Sequence, residues 1–208
     1  MYRRNKIQKW IADGEGPNLD FKQKITSPSK IARSIVAFAN SRGGKIVVGV
    51  EDHGHIIGVD VGGEEYELLK AAKDFCKPAI ELDFETYEMQ GKMLLIAYVE
   101  ESYQKPHYAI DKKKREKIYV RIQDECVVPN EMISNALLKG EMNDLERNFE
   151  YTKLRMELIN YLKKYGNITI ADYMRLKACS ERNAIRALLD FWFEGAIRSR
   201  DDGKSWTL

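Results

Sequence analysis

The chain has 208 residues, 44% hydrophobic and 32% charged, which is enough apolar material for one large or two small cores beneath a well-solvated surface. Its longest apolar stretch, Met93 to Val99, is too short for a bilayer span, and no apolar segment follows the basic start MYRRNK, so neither membrane association nor a secretory leader is expected. The net charge of +2 divides unevenly: residues 1–150 hold 23 Lys+Arg against 25 Asp+Glu, whereas residues 151–208 hold 11 against 7, a basic excess suited to a polyanionic partner.

In chain order, Tyr2 to Asp13 has the spacing of an amphipathic helix. After the loop Gly14-Glu15-Gly16-Pro17, Leu19 to Lys22 is a short strand. Ser27-Pro28 opens a helix, with proline suited to the first turn; Ile31, Ala32, Ile35, Phe38 and Ala39 give it a core face, and Asn40 to Gly44 stops it. Lys45 to Glu51 and Ile56 to Asp60 read as a hairpin across Asp52-His53-Gly54-His55, and a helix follows from about Gly63 to Cys76. Two longer strands, Ile80 to Met89 and Lys92 to Glu100, meet at Gln90-Gly91. His107 to Ile110 and Lys117 to Cys126 flank the charged tip DKKKREK, and Pro129 starts the helix NEMISNALL. Strands joined by short turns and interrupted by helices predict a mostly antiparallel α+β domain. The polar stretch Lys139 to Tyr151 marks the boundary, giving domains at 1–140 and 141–208.

From Arg155 onward three helical patterns are followed by a short hairpin. Ser180 is a good N-cap for the third helix, whose Ile185, Leu188, Leu189 and Trp192 would pack inward while Arg182, Asn183 and Arg186 face the other way. Arg198, Arg200 and Lys204 surround a hairpin that turns at Asp201-Asp202-Gly203. This segment resembles a winged helix-turn-helix. The resemblance implies that Arg182, Asn183 and Arg186 read a major groove and that Arg198, Arg200 and Lys204 touch phosphate or minor groove.

Several blocks of the first domain are similar to the Schlafen-type AlbA-like domain, a family of DNA-binding modules in bacterial regulators and in the Schlafen proteins. They are Glu15 with Leu19-Asp20-Phe21-Lys22; Ala37-Phe38-Ala39-Asn40-Ser41 with Gly43-Gly44; Val48-Gly49-Val50-Glu51-Asp52 with Gly54, Ile56 and Gly58; then Lys105-Pro106 with Tyr108, and Tyr119-Val120-Arg121. In bacteria this domain often precedes a winged helix, the same order as here. The glycines admit a structural account of their own, since Gly49 and Gly58 inside strand patterns predict bulges or close backbone approach.

Three chemistries remain to be weighed. Gly44-Lys45 is followed by Ile46 with no glycine at P-loop spacing, and no GxGxxG occurs, so ATP hydrolysis is not expected. Some Schlafen proteins cut structured RNA with three carboxylates; position by position these fall on Glu15, Asp20 and Asp52, which under that alternative would hold Mg²⁺ or Mn²⁺. Here Asp20 replaces the usual glutamate, only one lobe is present, so a homodimer would be needed, and the family's Cys/His zinc site has no counterpart among Cys76, Cys126 and Cys179. Glu15 and Asp20 would otherwise cap or pair with Lys22, Arg33 or Arg42. His53 and His55, with His107 the only other histidine, make a poor zinc set.

Lys112, Lys113, Lys114 and Arg115, with Lys117, form the densest positive run and suit a phosphate backbone. The expectation is a non-enzymatic, dimeric, cytoplasmic transcriptional regulator that binds double-stranded DNA. No cofactor is expected. Odd, scattered cysteines fit a reducing compartment. RNA is the partner under the ribonuclease alternative, and a third reading is a protein-interaction adaptor, because winged helices also mediate protein contacts and Trp192 and Phe193 would be partly exposed.

Overall fold

The computed structural model describes residues 2–129, 131–138, 151–193, 195–200 and 204–208. Two compact units result, Met1–Val128 and Pro129–Leu208. The polar stretch 139–150 and the turn Asp201-Asp202-Gly203 lie outside the described residues.

The first unit is built on a four-stranded sheet. β1 (Leu19–Lys22) and β2 (Gly44–Val48) pair in parallel, from Leu19 opposite Lys45 to Lys22 opposite Val48. Parallel neighbours need a long crossover, and helix α2 (Pro28–Asn40) supplies it. β4 (Asp83–Met89) and β5 (Lys92–Val99) form a hairpin, and β5 also pairs antiparallel with β2, giving the order β1-β2-β5-β4. Gln90 and Gly91 both take positive φ, 57° and 72°, as a two-residue turn between twisted strands requires.

Alternation along these strands sorts their side chains onto two faces. Ile46, Val48, Leu95, Ala97 and Val99 meet α2 and α3 (Val61–Asp74) through Ile35, Phe38, Leu68, Ala71 and Ala72. Leu19, Phe21, Val47, Leu94 and Ile96 form the opposite core, closed by α1 (Tyr2–Asp13) with Ile7, Trp10 and Ile11. The sheet is thus a middle layer covered on both sides.

Smaller pieces lie against α2. β3 (Cys76–Lys77), β6 (Tyr108–Ile110) and β7 (Glu116–Ile118) make one antiparallel sheet, and β8 (Val120–Ile122) and β9 (Glu125–Val127) make a hairpin. Three expectations need correction here. The hairpin expected from Lys45 to Asp60 shrinks to a single bridge, Val50 with Ile56, because Gly49 and Gly58 turn to φ 104° and 74° and bring their backbones together. Strand β4 begins at Asp83 rather than Ile80. The strand expected from Lys117 to Cys126 is three short ones, interrupted at Tyr119 and folded back at Gln123, whose φ is 50°.

The second unit holds α4 (Glu131–Leu138), α5 (Tyr151–Tyr165), β10 (Ile168–Thr169), α6 (Ile170–Lys177), α7 (Glu181–Phe193), β11 (Arg198–Ser199) and β12 (Ser205–Thr207). Helices α5, α6 and α7 stand where the three helical patterns fall. β12 is the centre of an antiparallel sheet, pairing with both β10 and β11; the β10 segment carried no strand signal of its own. A reciprocal cap starts α6: Thr169 accepts from the Asp172 amide and Asp172 accepts from the Thr169 amide. Leu158, Leu162, Ile168, Tyr173, Leu188, Ile197 and Trp206 are buried in this unit.

Candidate functional site

In the first unit, charge converges where the loop before β1 meets β8. Gly16 and Leu19 bond to each other across a tight loop, which sets Glu15 beside the strand so that its Oε1 accepts from the Phe21 amide at 2.6 Å. Asp20 and Arg121 are both buried, 3% and 2% exposed, and pair through Nη2 and Oδ1 at 3.2 Å. Arg121 also donates to the carbonyls of Gly16 at 3.2 Å and Leu19 at 3.1 Å, and its guanidinium lies 5.1 Å over the Phe38 ring. Lys22 places its ammonium 2.8 Å from Asp20 Oδ2 and 3.8 Å from Glu15, while donating to the Phe21 carbonyl at 2.7 Å. Two carboxylates therefore face two cations. Burial raises the pKa of Glu15, opposed by its bond from Phe21 and reinforced by the charge of Asp20.

The pairing of Glu15 and Asp20 with Lys22 follows the sequence expectation; that with Arg121 was missed, and neither Arg33 nor Arg42 takes that place. Asp52 sits elsewhere, exposed on a turn and lining an open cavity of about 300 Å³ with Gln23, Glu51 and His53. Among the described residues no group of three or more His, Cys, Asp and Glu side chains is arranged to hold a metal ion. Mg²⁺ or Mn²⁺ asks for six ligands in octahedral array, water included, and here Asp20 is held by two cations instead. His55 pairs with Glu51 at 3.2 Å, and His107 is buried apart, so the three histidines do not assemble.

The Asn40-Ser41 dipeptide at the end of α2 has a definite task. Asn40 is fully buried; its Nδ2 donates to the carbonyls of His107 and Tyr119, both at 2.9 Å, and its Oδ1 accepts from the His107 amide at 2.7 Å. Ser41 Oγ accepts from the Arg121 amide at 2.8 Å. The Ser41 carbonyl accepts from Lys105, whose ammonium, also paired with Glu101 at 2.5 Å, is buried. His107 Nδ1–H donates to the Pro78 carbonyl at 2.8 Å, and its Nε2 shares a hydrogen bond with the Ser102 hydroxyl at 2.7 Å. Residues from distant blocks thus lock one another, and through Arg121 the lock reaches Asp20. The glycines beside it obey the same packing: a Cβ at Gly44 would collide with the Phe38 ring.

At the β6–β7 tip, Asp111 organises the basic run. Its Oδ1 accepts from the amides of Lys113 and Arg115 at 2.7 and 3.0 Å, and its Oδ2 accepts from Arg115 Nε at 2.7 Å. These bonds hold the Asp111 pKa down to about 2. Arg115 is thereby neutralised, and Glu116 is paired with Lys77. Lys112, Lys113 and Lys114 stay exposed and make no salt bridge among the described residues.

In the second unit, Ser180 caps α7 by accepting from the Asn183 amide at 3.3 Å. Ile185, Leu188, Leu189 and Trp192 are buried; Arg182 and Asn183 are exposed and Arg186 is half-buried. Arg198, Arg200 and Lys204 are exposed. Among the described residues Arg186, Arg198 and Arg200 make no salt bridge. On α6, Arg175 is paired with Asp172, and Lys177 with Glu157. Trp192 and Phe193 are only 5% and 4% exposed, their rings 5.2 Å apart, which corrects the expectation of partly exposed aromatics that was one of the two grounds of the adaptor reading.

The fold and this lock define an α+β module with a mostly antiparallel sheet. The family described as Schlafen, AlbA_2 matches residues 15–130, more than half of the chain, and the chain belongs to that family. No curated protein matches it. Among solved structures it is similar to the N-terminal domain of an ATP-dependent DNA helicase RecG-related protein from Nitrosomonas europaea, at 22% identity over 51% of this chain and 78% of that one, with a TM-score of 0.43. It is also similar to the DIP2311 protein from Corynebacterium diphtheriae, at 17% identity over 79% of this chain, with a TM-score of 0.46; the match spans 36% of that protein.

Proposed function

We propose that the chain is a cytoplasmic DNA-binding protein, a transcriptional regulator, whose second unit is a winged helix-turn-helix. The observation that carries this reading is α7: capped at Ser180, buried along one face, and bearing Arg182, Asn183 and Arg186 at its start. Side chains at the start of such a helix reach base edges and phosphates in a major groove. Arg198 and Arg200, exposed and without salt bridges among the described residues, would lie on the adjoining backbone with Lys204. The order α5, β10, α6, α7, then β11 and β12 supports the wing.

Lys112, Lys113 and Lys114 would add a backbone contact from the AlbA-like unit. One recognition helix reads a half-site, so a homodimer on a two-fold operator is expected. No helix among the described residues is long and apolar enough to cross a membrane.

An electrophoretic shift with duplex DNA tests the reading. Arg186→Ala is expected to cost ~1–3 kcal/mol if the side chain reads a base. Equal binding by mutant and parent at low and moderate salt would remove that assignment.

A further inference from the structure

Helix α1 carries Arg3, Arg4, Lys6 and Lys9 against a single acid, Asp13, and precedes the residues that match the family. Its apolar side chains are used up: Ile7 is 3% exposed, and Trp10 and Ile11 pack on the same core. Lys45 of β2 lies opposite Leu19 and Tyr98, hence on the face of the sheet that α1 covers.

Lys6 and Lys45, from separate elements, converge on one ring. Their ammonium groups stand 5.0 and 5.1 Å from the centre of Trp10, so they are at most ~10 Å apart, the two distances end to end. Neither makes a salt bridge among the described residues. Two acids of β4 share this face of the sheet: Glu85 accepts from the Tyr98 hydroxyl at 2.8 Å, and Asp83, opposite Tyr98, is exposed and makes no salt bridge to either lysine among the described residues. Burial lowers the pKa of Lys45, and the charge of Lys6 lowers it further. Two like charges held together without a salt bridge to either favour an anion between them.

We infer that Lys6, Trp10 and Lys45 form a backbone-binding clamp for a nucleic-acid strand on the first unit, separate from the Lys112–Lys114 tip. This rests on the nucleic-acid reading of the chain and adds a second platform to it. Phosphates recur about every 3.4 Å of duplex axis along a strand, so the two ammonium groups can engage neighbouring phosphates of one strand. An anionic membrane fits less well: interfacial helices bury an apolar face in lipid, and the apolar face of α1 is already in the core.

The test uses the full chain and lysine footprinting by acylation, read residue by residue in a mass spectrometer, with a mixed-sequence duplex. Lys6 and Lys45 should lose reactivity several-fold on binding, while exposed Lys70 on α3 keeps its own. In Lys6→Gln/Lys45→Gln the slope of log affinity against log salt should fall by about 2, one for each phosphate contact. Unchanged footprint and slope, with Arg186→Ala still weakening binding, would overturn the clamp and leave the second unit's role standing. Protection of Lys6 and Lys45 by phosphatidylserine vesicles but not by DNA would overturn it in favour of a lipid surface. No DNA binding by the parent chain at any salt would overturn both.

Discussion

Replacing Asn40 by alanine removes three buried hydrogen bonds at once, two to carbonyls and one from an amide. The His107 amide is left buried without its partner, at a cost of about 1–3 kcal/mol, and the two carbonyls lose roughly 1 kcal/mol each. The sum, about 3–5 kcal/mol, is a large share of a typical domain stability of roughly 5–15 kcal/mol. Every tenfold change corresponds to about 1.4 kcal/mol, so amide protection around β6 and β8 should fall at least about a hundredfold. Hydrogen exchange read by peptide suits a chain of two units, because protection in α7 serves as the internal control. A loss below about threefold in β6 and β8 would refute the view that Asn40 is the lock of this unit.

Gly44→Ala should destabilise the first unit by several kcal/mol, since Phe38 is fully buried and has nowhere to move; Gly91→Ala, with open space but positive φ, should cost about 1 kcal/mol, and equal urea midpoints for the two would contradict the packing argument. His107 has its pKa lowered by burial first, with Lys105 acting in the same direction and the Pro78 carbonyl opposing. A depressed folded pKa means the unfolded chain binds the proton better, so this contribution to stability is present above about pH 6.5 and is lost as pH falls through the lower folded value. His107→Gln should flatten that part of a stability–pH profile; an unaltered acid limb would contradict it. Incubation with structured RNA and Mn²⁺ should give no cleavage that Glu15→Ala abolishes, because Asp52 does not join Glu15 and Asp20; metal-dependent cutting lost in that variant would establish the ribonuclease alternative.

Local signals served well where the chain's own neighbours decide the structure. The proline-started helix α2, the strand β1 and the hairpin turning at Gln90-Gly91 fell close to their expected places, since their periodicity and turn chemistry are written in consecutive residues. What failed depends on distant partners. β3 and β10 are two-residue strands that exist only because β6 and β12 pair with them. The break at Tyr119 exists because its carbonyl bonds Asn40, 79 residues away. Arg121 and Lys105 are charged yet buried, held by backbone carbonyls and by Asp20 and Glu101, partners that their neighbours in sequence do not reveal. The residue types of α7 placed Ile185, Leu188 and Leu189 inside and Arg182 and Asn183 outside, whereas Arg186 is half-buried and the rings of Trp192 and Phe193, expected to be partly exposed under the adaptor reading, are buried.

Selection from random-sequence duplexes by the full chain, followed by sequencing of the bound pool, tests the central claim most directly. The account predicts convergence on a short motif repeated as two inverted half-sites about one helical turn, or a multiple of it, apart, with the convergence lost in Arg186→Ala. A pool that stays random while binding persists, or a motif that survives the Arg186→Ala change intact, would contradict it.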